Sequence, residues 1–262
     1  ARLMYQVIKF STFNKLKTHT IRNLRNKVWK LGLISYDTAF KIQSAIARKH
    51  LNSLLKGETT NYDTLLLVEH KPVYTVGIRD ETPNNEILRL RNLGAEFRKT
   101  NRGGLITFHG PGQLVAYPII NLKHFKPSVK WYIHNLEETV ISLCEELGIE
   151  ANRSPHTGVW VGDYKIAAIG IHASRYITTH GISLNCNTDL SWFSHIDPCG
   201  IPDKGVTSLT KETNSECSVE TMTPIFLSHI EKTFDCQTED LEIAAQQEVL
   251  SNVYSKLMVE MV

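Results

Sequence analysis

The chain has 262 residues, 42% hydrophobic and 21% charged, with a formal net charge of +2. That length can bury one sizeable core, and no apolar run approaches the roughly 20 residues that a membrane-crossing helix needs, so no membrane span is expected. The cysteines Cys144, Cys186, Cys199, Cys217 and Cys236 are odd in number and irregularly spaced, which fits neither a disulfide framework nor a C-x-x-C metal site; free thiols and no metal are expected.

The charge is unevenly spread. No Asp or Glu precedes Asp37, whereas Arg2, Lys9, Lys15, Lys17, Arg22 and Arg25 fall among Thr, Ser and Asn at the start. That acid-poor composition is that of an organelle transit peptide, expected over residues 1–25, the bland alternative being a disordered basic arm. Without it 23 basic residues face 27 acidic ones, a net of −4, which argues against a nucleic-acid binder held by counterion release.

Residues 27–34 alternate apolar and polar as a half-buried strand does. A helix then starts with Ser35 as its cap and carries Ala39, Ile42, Ala45, Ile46 and Leu54 at helical spacing. Strands are predicted over 64–69 and 73–76, broken at Pro72, and a short helix over 84–93. The densest strand-and-glycine region follows: strand 97–100, a turn at 101–104, strand 105–108, a turn at 109–112 and strand 114–117. A helix over 129–147 presents Ile133, Leu136, Val140, Leu143 and Leu147 on one face. Strands follow over 158–161, 165–172 and 181–185, then a loop with little regular signal over 188–210. Further helices are predicted over 219–234 and 240–261. Strands joined by antiparallel-style turns, with helices between, indicate an α+β fold. The glycine turns lie between strands and open no helix, which weakens a phosphate-binding reading.

Three groups can carry chemistry, each with a bland alternative. Cys199 sits between Pro198 and Gly200 in a polar loop that no helix or strand period claims, yet most free cysteines are small buried hydrophobes; Cys144 and Cys186 look like packing residues. Lys165 opens a strand that otherwise reads as buried, where it either extends to solvent or sits desolvated beside a nucleophile. His109 and His180, each beside a glycine, are turn residues, satisfied core groups or catalysts.

The run 102–113, Arg-Gly-Gly-Leu-Ile-Thr-Phe-His-Gly-Pro-Gly-Gln, closely resembles the signature of the octanoyltransferases of lipoate biosynthesis. Further blocks match in the family's order at 157–160, 165–170, 180–185, 187–190, 192–193, 195–196, 198–201 and 205–209. The resemblance implies a biotin- and lipoate-ligase-like catalytic domain over 26–236, with a mixed, mainly antiparallel sheet and flanking helices, followed by a helical extension over 237–262. It implies octanoyl transfer from acyl carrier protein to a lysine of lipoyl domains, those of the glycine-cleavage H protein and of 2-oxoacid dehydrogenase subunits, without a cofactor and in the mitochondrion. By motif matching, Cys199 falls on the acyl-thioester nucleophile and Lys165 on the lysine that lowers its pKa. Substrate contacts fall on Arg102, Gly103, Gly104, Leu105, Ile106, Thr107, Phe108 and His109, on Ala168, Ile169 and Gly170, and on Gly181, Ile182 and Ser183.

An ATP-dependent lipoate-protein ligase of the same fold, an acyl thioesterase and a non-catalytic lipoyl-domain binder are the competing readings. The sequence cluster Arg79, Arg89, Arg91, Arg98, Lys99 and Arg102 is a candidate docking patch for an acidic carrier protein, the bland alternative being a solvated helix face.

Overall fold

In the computed structural model residues 24–58, 62–79, 81–197 and 204–260 are described, the last six by backbone alone. The expected transit peptide therefore lies outside the described residues, save Leu24 and Arg25, and so does Cys199. Leu24 already belongs to the fold, because its carbonyl accepts from the Gln237 N–H.

The strand Thr64–His70 (β2) carries consecutive leucines because both of its faces are buried. Leu65 and Leu67 enter one core, and Leu66 and Val68 the other. Strand β1 (Arg25–Ile34) pairs parallel to it, a geometry that requires a crossover, supplied by helix α1 (Tyr36–Lys56). The Ser35 side chain accepts from the Thr38 N–H at 3.2 Å, as its cap reading predicts. On the other side of β2 run β6 (Gln113–Ile119), β10 (Ile177–Asn185), β9 (Tyr164–Ser174), β8 (Val159–Val161) and β7 (Asn152–Arg153), all antiparallel to their neighbours. Helices α3 (Val129–Glu146) and α5 (Val219–Phe234) cover one face through Tyr132, Leu136, Val140, Phe226 and Ile230. Helix α1 covers the other face together with α6 (Ile243–Glu260), whose Val249 and Val253 share its core.

Three features depart from the sequence reading. The segments β3 (Val73–Val76), β4 (Glu96–Lys99) and β5 (Thr107–His109) form a separate small sheet, packed with α2 (Asn84–Asn92) around Tyr74, Leu90, Phe97 and Phe108. The polar segment Gln237–Asp240, which carries no apolar period, is a strand numbered β12 below. It pairs parallel to β1, and Lys27 and Arg25 reach Glu239 across the ladder. Finally, the stretch read as an irregular loop contains a 3₁₀ segment (Leu190–His195), the two-residue strand β11 (Gly205–Val206) beside β9, and the short helix α4 (Leu209–Thr213).

Candidate active site

Alternate residues of a strand face the same side. Gln113, Val115 and Tyr117 of β6, Gly181, Ser183 and Asn185 of β10, and Ala168 and Gly170 of β9 lie on one stretch of sheet and floor a cavity of about 360 Å³. That size falls within the range of small-ligand pockets. The segment 104–107 roofs it. At a strand rise of ~3.3 Å per residue, the four steps from Asn185 to Gly181 give the floor a length of roughly 13 Å.

Of the residues expected to contact substrate, Arg102, Gly104, Leu105, Ile106, Thr107, His109, Ala168, Ile169, Gly170, Gly181, Ile182 and Ser183 line this cavity, together with Lys165. Gly103 and Phe108 do not. The Gly103 N–H donates to the Ile171 carbonyl. Phe108 is buried in the core of the small sheet, its ring stacked on Trp192 at 5.0 Å between centroids and edge-on to Phe193. Its contribution is to anchor the 3₁₀ segment that leads into residues 198–203.

Lys165 occupies the Asn185 end of the floor. Its backbone carbonyl accepts from the Thr207 N–H, and the Thr207 carbonyl accepts from the Asn185 side chain. The lysine is only 6% exposed, its Nζ donates to the Thr157 carbonyl at 3.2 Å, and it lies 4.6 Å from the centroid of the Trp160 ring. Gly158 makes this path possible: its φ is +124°, and a Cβ there would stand 2.7 Å from the Ala167 carbonyl oxygen and 3.2 Å from Lys165 Cε. Gly158→Ala is therefore expected to cost about 1–3 kcal/mol in urea unfolding, through strain at a backbone conformation that L side chains avoid. It should also lower turnover more than a surface alanine does, because the lysine stem must move aside.

The opposite end is closed by Tyr36, Tyr117 and His180. His180 sits within β10 at φ +58°, and its N–H is taken by the Gln43 side chain of α1 at 2.8 Å. Burial, assisted by the Arg102 charge, lowers its pKa to about 3; its Nε2 donates to Asn101 Oδ1. Burial lowers His70 behind it to about 4, with Tyr117 donating to Nε2, and raises the Tyr36 phenol to about 12. These groups stay neutral across the physiological range and supply donors without charge.

Between the two ends runs a hydrogen-bonded chain. Gln113 Nε2 donates to the Phe108 carbonyl and to Asn185 Oδ1, which leaves its Oε1 to accept from His109 Nδ1 at 2.7 Å. His109, held neutral near a pKa of about 3 chiefly by burial, then accepts on Nε2 from the Thr75 hydroxyl. Arg102 Nη2 donates to that hydroxyl and to the Thr75 and Leu105 carbonyls, while Nη1 donates to the Gly103 carbonyl. Arg102 thus shapes the roof through backbone oxygens. The turn before Gln113 is closed by Gly112 at φ +78°, where a Cβ would stand 2.8 Å from Asn187 backbone atoms.

The described cysteines, Cys144, Cys186, Cys217 and Cys236, are all buried. Burial pushes the thiols of Cys144, Cys186 and Cys236 up to about 12, which makes them poor nucleophiles. Both limbs that lead to residues 198–203 are fastened beside the cavity. On one limb the Arg89 guanidinium donates to the His195 carbonyl, and on the other Lys204 pairs with Asp163 and Val206 ladders with Lys165. Phe193 and Val206 themselves line the cavity.

The arginine cluster is not a single free patch. Arg98 is engaged by Asp37 and Glu96, Arg89 by Glu86 and His195, and Arg102 is buried, while Arg79, Arg91 and Lys99 are exposed. Tyr36, Tyr117, Asn185, Phe193 and Val206 were not singled out as contacts by sequence reasoning. A signal existed for two of them, since Tyr117 and Asn185 fall at two-residue spacing along strands that already carry matched residues.

The lipoyl protein ligase A/B catalytic domain model matches residues 35–231. The chain is 55% identical over 211 residues to the mitochondrial octanoyl-[acyl-carrier-protein]:protein N-octanoyltransferase of Danio rerio, covering 80% of this chain and 92% of that one. It is 46% identical to the Homo sapiens protein of the same name, over 68% and 78% of the two chains. Among solved structures, lipoate-protein ligase A bound with ATP superposes with a TM-score of 0.68 at 12% identity, over 87% and 94% of the chains. The bipartite lipoate protein ligase of Thermoplasma acidophilum gives 0.63 at 13% identity, over 88% and 92%. At those identities the structures speak for the fold, and the sequence relatives for the lineage: the chain belongs to the lipoyl protein ligase A/B catalytic domain family.

Proposed function

We propose that this protein is a mitochondrial octanoyltransferase that moves an octanoyl group from acyl carrier protein to a lysine of a lipoyl domain, through a thioester on Cys199. The observation that supports the reading is the cavity, with a buried lysine at one end beside the anchored residues that flank the segment 198–203, in which Cys199 lies. The names of the close relatives point the same way, to the chemistry and to the mitochondrion.

In the first half-reaction the Cys199 thiolate attacks the acyl carbonyl carbon, and the carrier sulfur leaves as thiolate and takes a proton from the Lys165 ammonium, which becomes a neutral amine. The donor is already a thioester, so no ATP is consumed. A thiol of ordinary pKa, about 8.5, is only a minor fraction ionised near neutrality, and a neighbouring ammonium at ~4 Å favours the thiolate by up to ~4 kcal/mol at an effective dielectric of ~20. Lys165 is the group proposed to do this. In the second half the neutral amine of the acceptor lysine attacks the thioester carbonyl, the Cys199 sulfur leaves as thiolate, and the amine proton passes to Lys165. About seven apolar carbons entering the cavity supply ~5 kcal/mol at ~0.8 kcal/mol each. Lipoyl domains of the glycine-cleavage H protein and of 2-oxoacid dehydrogenases are the proposed acceptors.

Intact mass spectrometry after mixing with octanoyl carrier protein tests this directly. One added octanoyl group, removed by hydroxylamine and absent from Cys199→Ala, is the expected result. Octanoylation of acceptor only with ATP and free acid would show a ligase instead, and free octanoate released without acceptor would show a thioesterase.

A further inference from the structure

Trp160 lies outside the cavity lining, yet two lysines converge on it. The Lys165 Nζ is 4.6 Å and the Lys204 Nζ 5.4 Å from the centroid of its ring. The indole is 2% exposed and faces Lys165 across the β8–β9 ladder, and its Nε1 donates to the His156 carbonyl at 3.0 Å, so the ring cannot turn freely. Lys204 is also held by Asp163 at 2.5 Å, and the residues after it pair with β9 at Tyr164 and Lys165. Two like charges drawn to one aromatic ring are ordinarily separated by repulsion; here the negative π face attracts both.

We infer that Trp160 is a positioning residue whose ring seats the ammonium of Lys165 together with that of Lys204, and so fixes the activating lysine relative to the first described residue after Cys199. Lys204 stands five positions after Cys199 in the chain, so a ring shared by the two lysines couples the place of one to the other. The inference rests on the proposed pairing of Lys165 with Cys199. Leucine and phenylalanine are both smaller than the indole and both lose its N–H, but leucine does not attract cations whereas phenylalanine retains a π face.

The test is the pH dependence of Cys199 alkylation by iodoacetamide in the full chain, read peptide by peptide because the other described cysteines are buried. Trp160→Leu is expected to raise the alkylation midpoint by about one unit, a roughly ten-fold loss of reactivity at pH values below both midpoints, and Trp160→Phe to restore most of it. Lys165→Met should raise the midpoint at least as far. If Lys165→Met raises it and Trp160→Leu does not, the role of Trp160 is refuted while the cysteine–lysine pairing stands. If Lys165→Met leaves it in place, the pairing fails and the inference with it. Should Trp160→Leu not fold, the wild-type protein decides: the ε-methylene protons of Lys165 and Lys204, assigned by their loss in the methionine variants, are expected upfield of ordinary lysine positions through the indole ring current. Ordinary positions for both would overturn the inference.

Discussion

Lys165→Met is expected to lower the second-order rate of acyl loading about ten-fold at pH 7.5, with the deficit growing below pH 7 and shrinking as the pH rises towards 9.5. Methionine keeps the length and apolar stem of a side chain that is 6% exposed, so packing against Trp160 survives and the charge alone is removed. An ammonium ~4 Å from a thiolate at an effective dielectric of ~20 contributes up to ~4 kcal/mol, and each ~1.4 kcal/mol is a factor of ten in ionised thiol. Desolvation of the pair reduces that figure, and because an unaided thiol of pKa about 8.5 is still roughly a tenth ionised at pH 7.5, the loss there is about one decade. At high pH the thiol ionises unaided and most of the rate returns. Stopped-flow or quenched mass spectrometry of octanoyl loading from pH 6.5 to 9.5 measures it; a deficit that stays constant across that range would mean the lysine acts by some means other than ionising Cys199. Acyl transfer to the acceptor should remain impaired at every pH, because the variant lacks the proposed proton acceptor for the incoming amine.

The second large effect is on stability in acid. His70, His109 and His180 are buried neutral, with pKa values lowered to about 4, 3 and 3. An unfolded chain protonates all three as the pH falls through ~6.5, whereas the folded protein does not. The unfolded state therefore binds more protons over the window from about 6.5 down to about 4, and stability decreases with falling pH by ~1.4 kcal/mol per unit for each histidine. Three act together, which gives about 4 kcal/mol per unit and a loss on the order of 6 kcal/mol by pH 5, comparable to the whole stability of many domains. His124 acts elsewhere on the scale. Its hydrogen bond to Asp63 raises its pKa, so its contribution is complete below 6.5 and fades as the pH climbs through the folded value. Urea unfolding curves collected from pH 7 to pH 5 should become steeply less favourable, and His70→Gln should flatten the dependence by about one proton. A stability that is level over this range contradicts the assignment of neutral histidines.

Much of this architecture is written in local patterns. The leucines of β2, the capped start of α1 and the apolar stripe of α3 each name their element, because burial on a strand or a helix imposes a period of two or of 3.6. Elements made by partners leave no such trace. The polar strand β12 exists because the free edge of β1 offers hydrogen bonds and cationic side chains, and the 3₁₀ segment around Trp192 is ordered by stacking on Phe108, 84 positions earlier in the chain. The site divides the same way. Lys165 and the segment 104–109 were recognisable from their motifs, whereas Tyr36 looks like an ordinary first residue of an amphipathic helix and becomes a cavity wall only when α1 is laid across the sheet. Phe108 lies within the matched signature, yet its ring serves the small sheet's core, a role that depends on which way a three-residue strand happens to face.

The ladder between β1 and β12 has its own implication for how the molecule is made. Arg25 meets Gln237 and Val28 meets Asp240, so among the described residues β1 gains its partner on that flank only after the 208 residues between Val28 and Gln237 have been synthesised. Contacts so distant in sequence form slowly, and a chain emerging amino end first must hold an incomplete sheet edge while it waits. During that interval the exposed edge can pair with the wrong strand, and a helper that masks it would raise the yield of native protein.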